Sequence, residues 1–141
     1  MPDYTELQED YSKYRLERDK EDLNAARILF INGEYRAANN RAYYSMFHSM
    51  RALLVFNSFD ASKHSGVIAE FRRRYIKTGL LPIEISKMVG AAFTIRNASD
   101  YDDMFIASRA DTEIQISNAE FVYKNIDEYI SHKVLKPTSR Y

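Results

Sequence analysis

Apolar and small residues recur along this chain at steps of three and four, in runs split by short polar breaks. That is the helical period, and no stretch alternates as a half-buried strand would. The breaks fall at Asn32-Gly33, around Asn57 to Ser65, at Gly79 to Pro82 and around Ser99 to Asp103. They predict five helices. The first runs from about Thr5 to Ile31, with Tyr4, Leu7, Tyr11 and Tyr14 continuing into Leu16, Leu23, Ala26 and Phe30 as one apolar face. Gly33 is placed to close it in the left-handed conformation.

The second helix, about Glu34 to Phe56, carries two stripes. Ala38, Ala42, Ser45, Ser49 and Ala52 form a small-residue stripe that lets another helix approach closely. Asn40, Tyr44, His48 and Arg51 form a polar line beside it. The rest is Tyr43, Met46, Phe47, Met50, Leu53 and Leu54, so this helix is expected at the centre of the fold. Polar groups on a central helix must be paired or face a cleft.

A third helix, about Ser65 to Lys77, has Val67, Phe71 and Tyr75 inward and Arg72, Arg73, Arg74 and Lys77 near its end, where the dipole favours cations. The fourth starts at Pro82 and buries Ile85, Met88, Val89 and Ala92, with Phe93 beside them. Its next step lands on Arg96, so the stripe either leaves the core there or enters a pocket with polar partners. Gly90 in mid-helix implies close packing. A loop, Asn97 to Ile106, precedes a fifth helix from about Ser108 to Val134 that repeats Ile116, Ala119, Tyr123, Ile126 and Ile130. The expected fold is all-α: an up-and-down bundle of four long helices with the third as a short cross-element.

Length adds one constraint. At 141 residues the chain suits one domain, here residues 1–134, with 135–141 as a loose tail. Four glycines and three prolines argue against a turn-rich β-sandwich, and the absence of cysteine removes disulfides, thiolate zinc sites and a thiol nucleophile. The polar acidic N-terminus and the lack of a long apolar run point to a cytoplasmic protein without membrane attachment. Net charge is zero but uneven: residues 34–80 carry eight basic and three acidic groups, and residues 81–130 carry four and nine. A wholly basic nucleic-acid footprint is absent, although the middle is locally basic.

Familiar catalytic patterns are missing. The four glycines are isolated, so there is no phosphate loop, and there is no nucleophile elbow. His48, His64 and His132 have no metal-ligand spacing, so neither a metal nor a cofactor is expected. What remains is a constellation: Asn40, Tyr44 and His48; His64; and Arg96 with Asn97, followed by Asp100, Tyr101 and Asp102. Arginine is a natural fork for phosphate, and histidine moves protons near neutral pH. The competing reading is a buried polar network that fixes helix register, with Arg96 paired to Asp100 or Asp102.

Three pieces of this set occur together in order: Asn40-Arg41-Ala42-Tyr43-Tyr44 with Phe47-His48, Lys63-His64-Ser65-Gly66, and Arg96 with Asp100-Tyr101. In this the chain resembles the HEPN family (higher eukaryotes and prokaryotes nucleotide-binding), in particular its short stand-alone prokaryotic members, over about residues 15–132. The resemblance implies a helical bundle that dimerises and, in many relatives, works beside a minimal nucleotidyltransferase in a toxin–antitoxin or regulatory pair. It also implies a metal-independent ribonuclease motif: Arg, a polar residue directly after it, and His separated from the Arg by four to six intervening residues. Arg96 and Asn97 match, whereas positions 101, 102 and 103 are Tyr, Asp and Asp. Tyr101, with an ordinary pKa of about 10, is a poor base beside histidine at about 6.5.

Three functions follow. The leading expectation is a nucleotide- or RNA-binding interaction module paired with a nucleotidyltransferase. On this reading Arg96, Asn97 and Tyr101 are the catalytic-motif positions, and Asn40, Tyr44, His48, His64, Asp100 and Asp102 bind ligand. The second is a ribonuclease toxin with a non-standard site, in which His48 or His64 replaces the motif histidine. The third is a purely structural dimeric bundle. Control by modification of Tyr101, which would set a bulky anion beside Arg96, is a further expectation of the family pairing.

Overall fold

The computed structural model describes residues 5–61 and 63–135. Tyr4 and residues 136–141, most of the expected tail, lie outside them. The helices are α1 (Glu6–Ile31), α2 (Tyr35–Leu54), α3 (His64–Phe71), α4 (Ile83–Tyr101) and α5 (Arg109–Tyr129). The fold is all-α, and no strand occurs among the described residues. A 3₁₀ turn, Val55–Asn57, follows α2, and wider π-helical turns, Arg72–Ile76 and Ile130–Val134, extend α3 and α5.

Local chemistry sets the ends. Thr5 caps α1 by accepting from the Gln8 backbone N–H while the Gln8 side chain accepts from Thr5 N–H. Gly33, at φ +77°, turns the chain so that α2 folds back along α1. Ser108 caps α5 by accepting from Asp111 N–H at 3.0 Å. Gly79, at φ +76°, closes the turn after α3.

The second helix is the hub, touching α1, α3, α4 and α5. Twelve of its twenty residues are buried, among them Tyr43, Met46, Met50 and Leu53. The fifth helix also contacts α1 and α4, so those two helices flank the α2–α5 pair. The inward residues of α3 and its extension are Val67, Phe71 and Tyr75, as the pattern predicts. In α5, Ile116, Ala119, Ile126 and Ile130 are buried while Tyr123 is half-buried.

Two features depart from the pattern. The apolar face expected for the start of α1 is exposed at Leu7, Tyr11 and Tyr14; Ser12, Asp19 and Asp22 are buried with Leu23 and Ala26. The buried side of α1 meets serines rather than hydrocarbon: both Ser45 and Ser49 donate to the Asp19 carboxylate. The small-residue stripe of α2 therefore supplies hydroxyl donors as well as close approach. Second, α4 runs through Asn97 to Tyr101, where a loop is expected. Arg36 of α2 holds that last turn, its Nε donating to Ser99 Oγ at 2.9 Å and its Nη2 donating to the Ser99 carbonyl.

Gly90 owes its place to contact. A Cβ there would come within 2.8 Å of Arg72 Nη2, whose guanidinium donates to Ser86 Oγ and the Ser86 carbonyl at 2.9 and 3.0 Å. Arg73 and Arg74 instead pair with Glu70, holding that carboxyl down to about 2.

Candidate functional site

Three elements meet at Tyr44. The α2 stripe presents Arg41, Tyr44 and His48 on successive turns, α3 begins with His64, and the last turns of α4 bring Arg96 and Asp100. The Arg96 guanidinium carbon lies 5.7 Å from the centroid of the Tyr43 ring and 5.9 Å from that of Tyr44. Its Nη2 is 3.5 Å from Tyr44 Oη, a long contact. Both rings hold the cation by cation–π attraction while its side chain keeps 20% of its exposure.

Asp100, one turn beyond Arg96, places Oδ2 at 3.1 Å from Arg96 Nε. The contact lies off the line of a hydrogen bond, so the buried Nε–H retains capacity for another acceptor. The Tyr44 ring also faces Arg41, whose guanidinium carbon is 5.0 Å from its centroid.

His64 contacts the same two rings. Its Nδ1 and Tyr43 Oη are hydrogen-bonded at 2.7 Å, and its ring stacks on Phe47 with centroids 4.2 Å apart. Burial, then Arg96 and Arg51, lower the His64 pKa, so the imidazole is neutral at pH 7. Burial also raises the Tyr43 pKa, so that group stays a phenol.

His48 has a separate anchor. Its Nε2 is 3.2 Å from Asp22 Oδ2, while Arg41 Nη1 donates to Asp22 Oδ1 at 2.9 Å. Burial opposes ionisation of Asp22, but His48 and Arg41 outweigh it and hold the carboxyl below its ordinary value. Asp22 thus fixes the polar stripe of α2 from α1.

The fold brings together Tyr44, His48, His64, Arg96 and Asp100. It turns Tyr101 and Asp102 away from Arg96. Asn40 and Asn97 make no side-chain hydrogen bond among the described residues. Tyr101 is 82% exposed, five residues beyond Arg96 and so off its helical face. Asp102 accepts from Met104 N–H at 2.9 Å, which turns its carboxylate to the following loop. Sequence reasoning missed Asp22, and Arg41 entered it only as part of the Asn40–Tyr44 motif, without a role of its own. A signal for Asp22 was present, since it neighbours Leu23 and lies four residues before Ala26 on the inward face. No group of three or more metal-ligating side chains forms a site among the described residues. No described helix is long and apolar enough to cross a membrane.

A helical bundle that holds an arginine on aromatic rings, with a neutral histidine hydrogen-bonded to one of them, defines a small all-α module with a cationic, ring-lined cluster at the junction of α2, α3 and α4. The chain belongs to the HEPN domain family, whose model matches residues 12–129. It is 33% identical over 118 residues to a UPF0332 protein of Thermotoga maritima, covering 84% of this chain and 89% of that one. A Methanocaldococcus jannaschii protein named as a candidate toxin is 30% identical over 122 residues, covering 86% of this chain and 83% of its own. A UPF0332 protein of Pyrococcus horikoshii is 44% identical over 62 residues, 44% of each chain.

Proposed function

We propose that this protein is a HEPN-type binding module that takes a nucleotide or RNA phosphate at Arg96 and acts with a minimal nucleotidyltransferase in a toxin–antitoxin-like pair. The observation that carries the reading is the state of Arg96. Its guanidinium is pre-oriented by Tyr43 and Tyr44, yet its buried Nε–H has no in-line acceptor. A phosphate oxygen that displaces the partly exposed Asp100 carboxylate supplies that acceptor, and preorganisation reduces the ordering cost of binding. The toxin name carried by a relative agrees with the pairing. Tyr101, exposed beside this turn, offers a hydroxyl to a modifying partner.

The test is binding of a fluorescent RNA oligonucleotide by wild type and Arg96→Ala at matched thermal stability, together with a pull-down from the native cell that asks whether a nucleotidyltransferase co-purifies. Loss of binding in the variant and recovery of the complex are expected. Equal binding by both proteins would remove Arg96 from the role.

One observation favours a second reading, a metal-independent ribonuclease. His64, neutral and bonded to Tyr43, shares both aromatic rings with Arg96. A neutral imidazole accepts the proton of an attacking 2′-hydroxyl, and Arg96 balances charge at phosphorus. RNA cleavage in EDTA, lost in both Arg96→Ala and His64→Ala, is its signature.

A further inference from the structure

Two clefts of about 360 Å³ each lie beyond the Tyr44 cluster. The nearer is lined by Phe47, Arg51, Asp60 and His64. The farther runs along the start of α1, past Leu7, Tyr11, Arg15 and Phe59. Asp60 lines both, so the two are neighbours on one side of the molecule.

Cations and rings alternate along this path. Arg96 lies on Tyr43 and Tyr44; His64 stacks on Phe47; Arg51 lies 5.7 Å from the Phe47 centroid; Arg15 lies 5.8 Å from that of Tyr11. Arg15 Nη1 reaches the Arg51 carbonyl at 3.4 Å, which ties the far end to α2. Arg15 has no carboxylate within 4 Å among the described residues. Burial and the neighbouring Arg51 lower its pKa, and Asp60 offsets this only in part. Arg51 has one carboxylate partner, Asp60 at 2.6 Å, and Asp60 is itself 69% exposed on the loop before α3. A strongly exposed carboxylate on a half-buried arginine is readily exchanged, because such pairs contribute little.

We infer that the two clefts extend the Arg96 site into a track for single-stranded RNA, in which phosphates bind at Arg96, Arg51 and Arg15 and unstacked bases lie against Phe47 and Tyr11. Asp60 holds the phosphate position on Arg51 until a strand displaces it. The inference rests on the reading of Arg96 as a phosphate site and adds to it that the ligand is a strand rather than a mononucleotide. Guanidinium groups that follow a backbone, interleaved with rings that accept any base, are the general means of holding single strands.

The experiment titrates the intact protein with labelled oligouridine of about ten nucleotides, a labelled uridine dinucleotide and a matched DNA strand. Wild type, Arg96→Ala, Arg15→Ala, Tyr11→Ala and Asp60→Asn are compared after melting curves confirm folding. Arg15→Ala and Tyr11→Ala are expected to weaken the long RNA about tenfold each and to leave the dinucleotide unchanged. Arg15→Ala should also lower the log–log salt slope by about 0.7, one phosphate contact on a single strand. Asp60→Asn should tighten the long RNA about fivefold, a gain that misfolding does not produce. If Arg96→Ala abolishes binding while the Arg15, Tyr11 and Asp60 variants match wild type, the track is wrong and the Arg96 site stands. If wild type binds neither RNA, both fall. Tighter binding of the DNA strand would overturn RNA as the ligand.

Discussion

Asp19 gives the most exacting test of how this bundle is held together. Its carboxyl is fully buried between α1 and α2. Burial pushes it up to about 7; the Ser45 and Ser49 hydroxyls pull the other way, and Asp22 and Asp127 push it further up. In the unfolded chain the same group titrates near 3.9. Between about pH 4 and pH 7 the folded protein therefore binds the proton that the unfolded chain has released. The contribution to stability is fully present below about pH 4 and is lost as pH rises through about 7. A shift of about three pKa units corresponds to about 4 kcal/mol. Asp19→Asn keeps the shape and an oxygen acceptor for one serine, presents an N–H₂ donor to the other, and does not titrate.

Urea unfolding of both proteins at about pH 4.5 and about pH 8 isolates the effect, because groups common to both cancel in the difference. The variant's stability relative to wild type should rise by about 3–4 kcal/mol between the two conditions, whatever its absolute value. Asp22, held below its ordinary value, acts in the opposite sense and only as pH falls below about 4, outside this window. A relative stability that stays flat with pH would refute the reasoning. It would mean that the two serine donors already compensate the buried charge in full.

Other perturbations follow from single contacts. Gly90→Ala should be near neutral, since about 1 kcal/mol of helix propensity is offset by pushing Arg72 off Ser86; in an Arg72→Ala background it should stabilise by about 1 kcal/mol, read by a double-mutant cycle. Thr112→Val should cost about 1–3 kcal/mol in denaturant unfolding, because Asn39 Nδ2, which donates to Thr112 Oγ1 at 2.7 Å in the core, loses that acceptor. Tyr43→Phe removes the hydroxyl bonded to His64 and should cost about 1 kcal/mol of stability, with the His64 pKa followed by NMR as the direct readout.

Helix existence and the inner faces of α2, α3 and α5 were legible in the sequence, because a 3.6-residue period marks burial wherever the buried groups are apolar. The reading failed at the start of α1, where the buried groups are Ser12, Asp19 and Asp22 and the tyrosines face outward. Hydropathy assigns a paired aspartate to solvent, and only its partners, serines and a histidine from α2, reverse that assignment. The end of α4 failed for a related reason. Asn97, Ser99, Asp100 and Asp102 look like a polar loop, but Arg36 reaches across from α2 to satisfy the last turn. The same error displaced the expected site. In a loop Tyr101 and Asp102 are free to approach Arg96, whereas on a helix the residue one turn away is Asp100.

The carboxylates around the site set what kind of ligand it can select. Arg41, Arg51 and Arg96 are each in contact with an aspartate: Asp22, Asp60 and Asp100. An incoming anion must therefore compete rather than fill an empty charge. Asp22 is buried and tied to two partners, so Arg41 is committed to holding α1 against α2. Asp60 and Asp100 are 69% and 38% exposed and give way more cheaply. A single phosphate gains one exchange of a carboxylate for itself, which is close to neutral for partly exposed pairs. A strand gains several exchanges in one association event, together with base stacking, and later contacts form at high effective concentration. On the proposed strand-binding reading, an acidic shell of this kind weakens the binding of free nucleotides and inorganic phosphate relative to a polyanion. That is why the net-neutral composition of the chain does not argue against a nucleic-acid ligand.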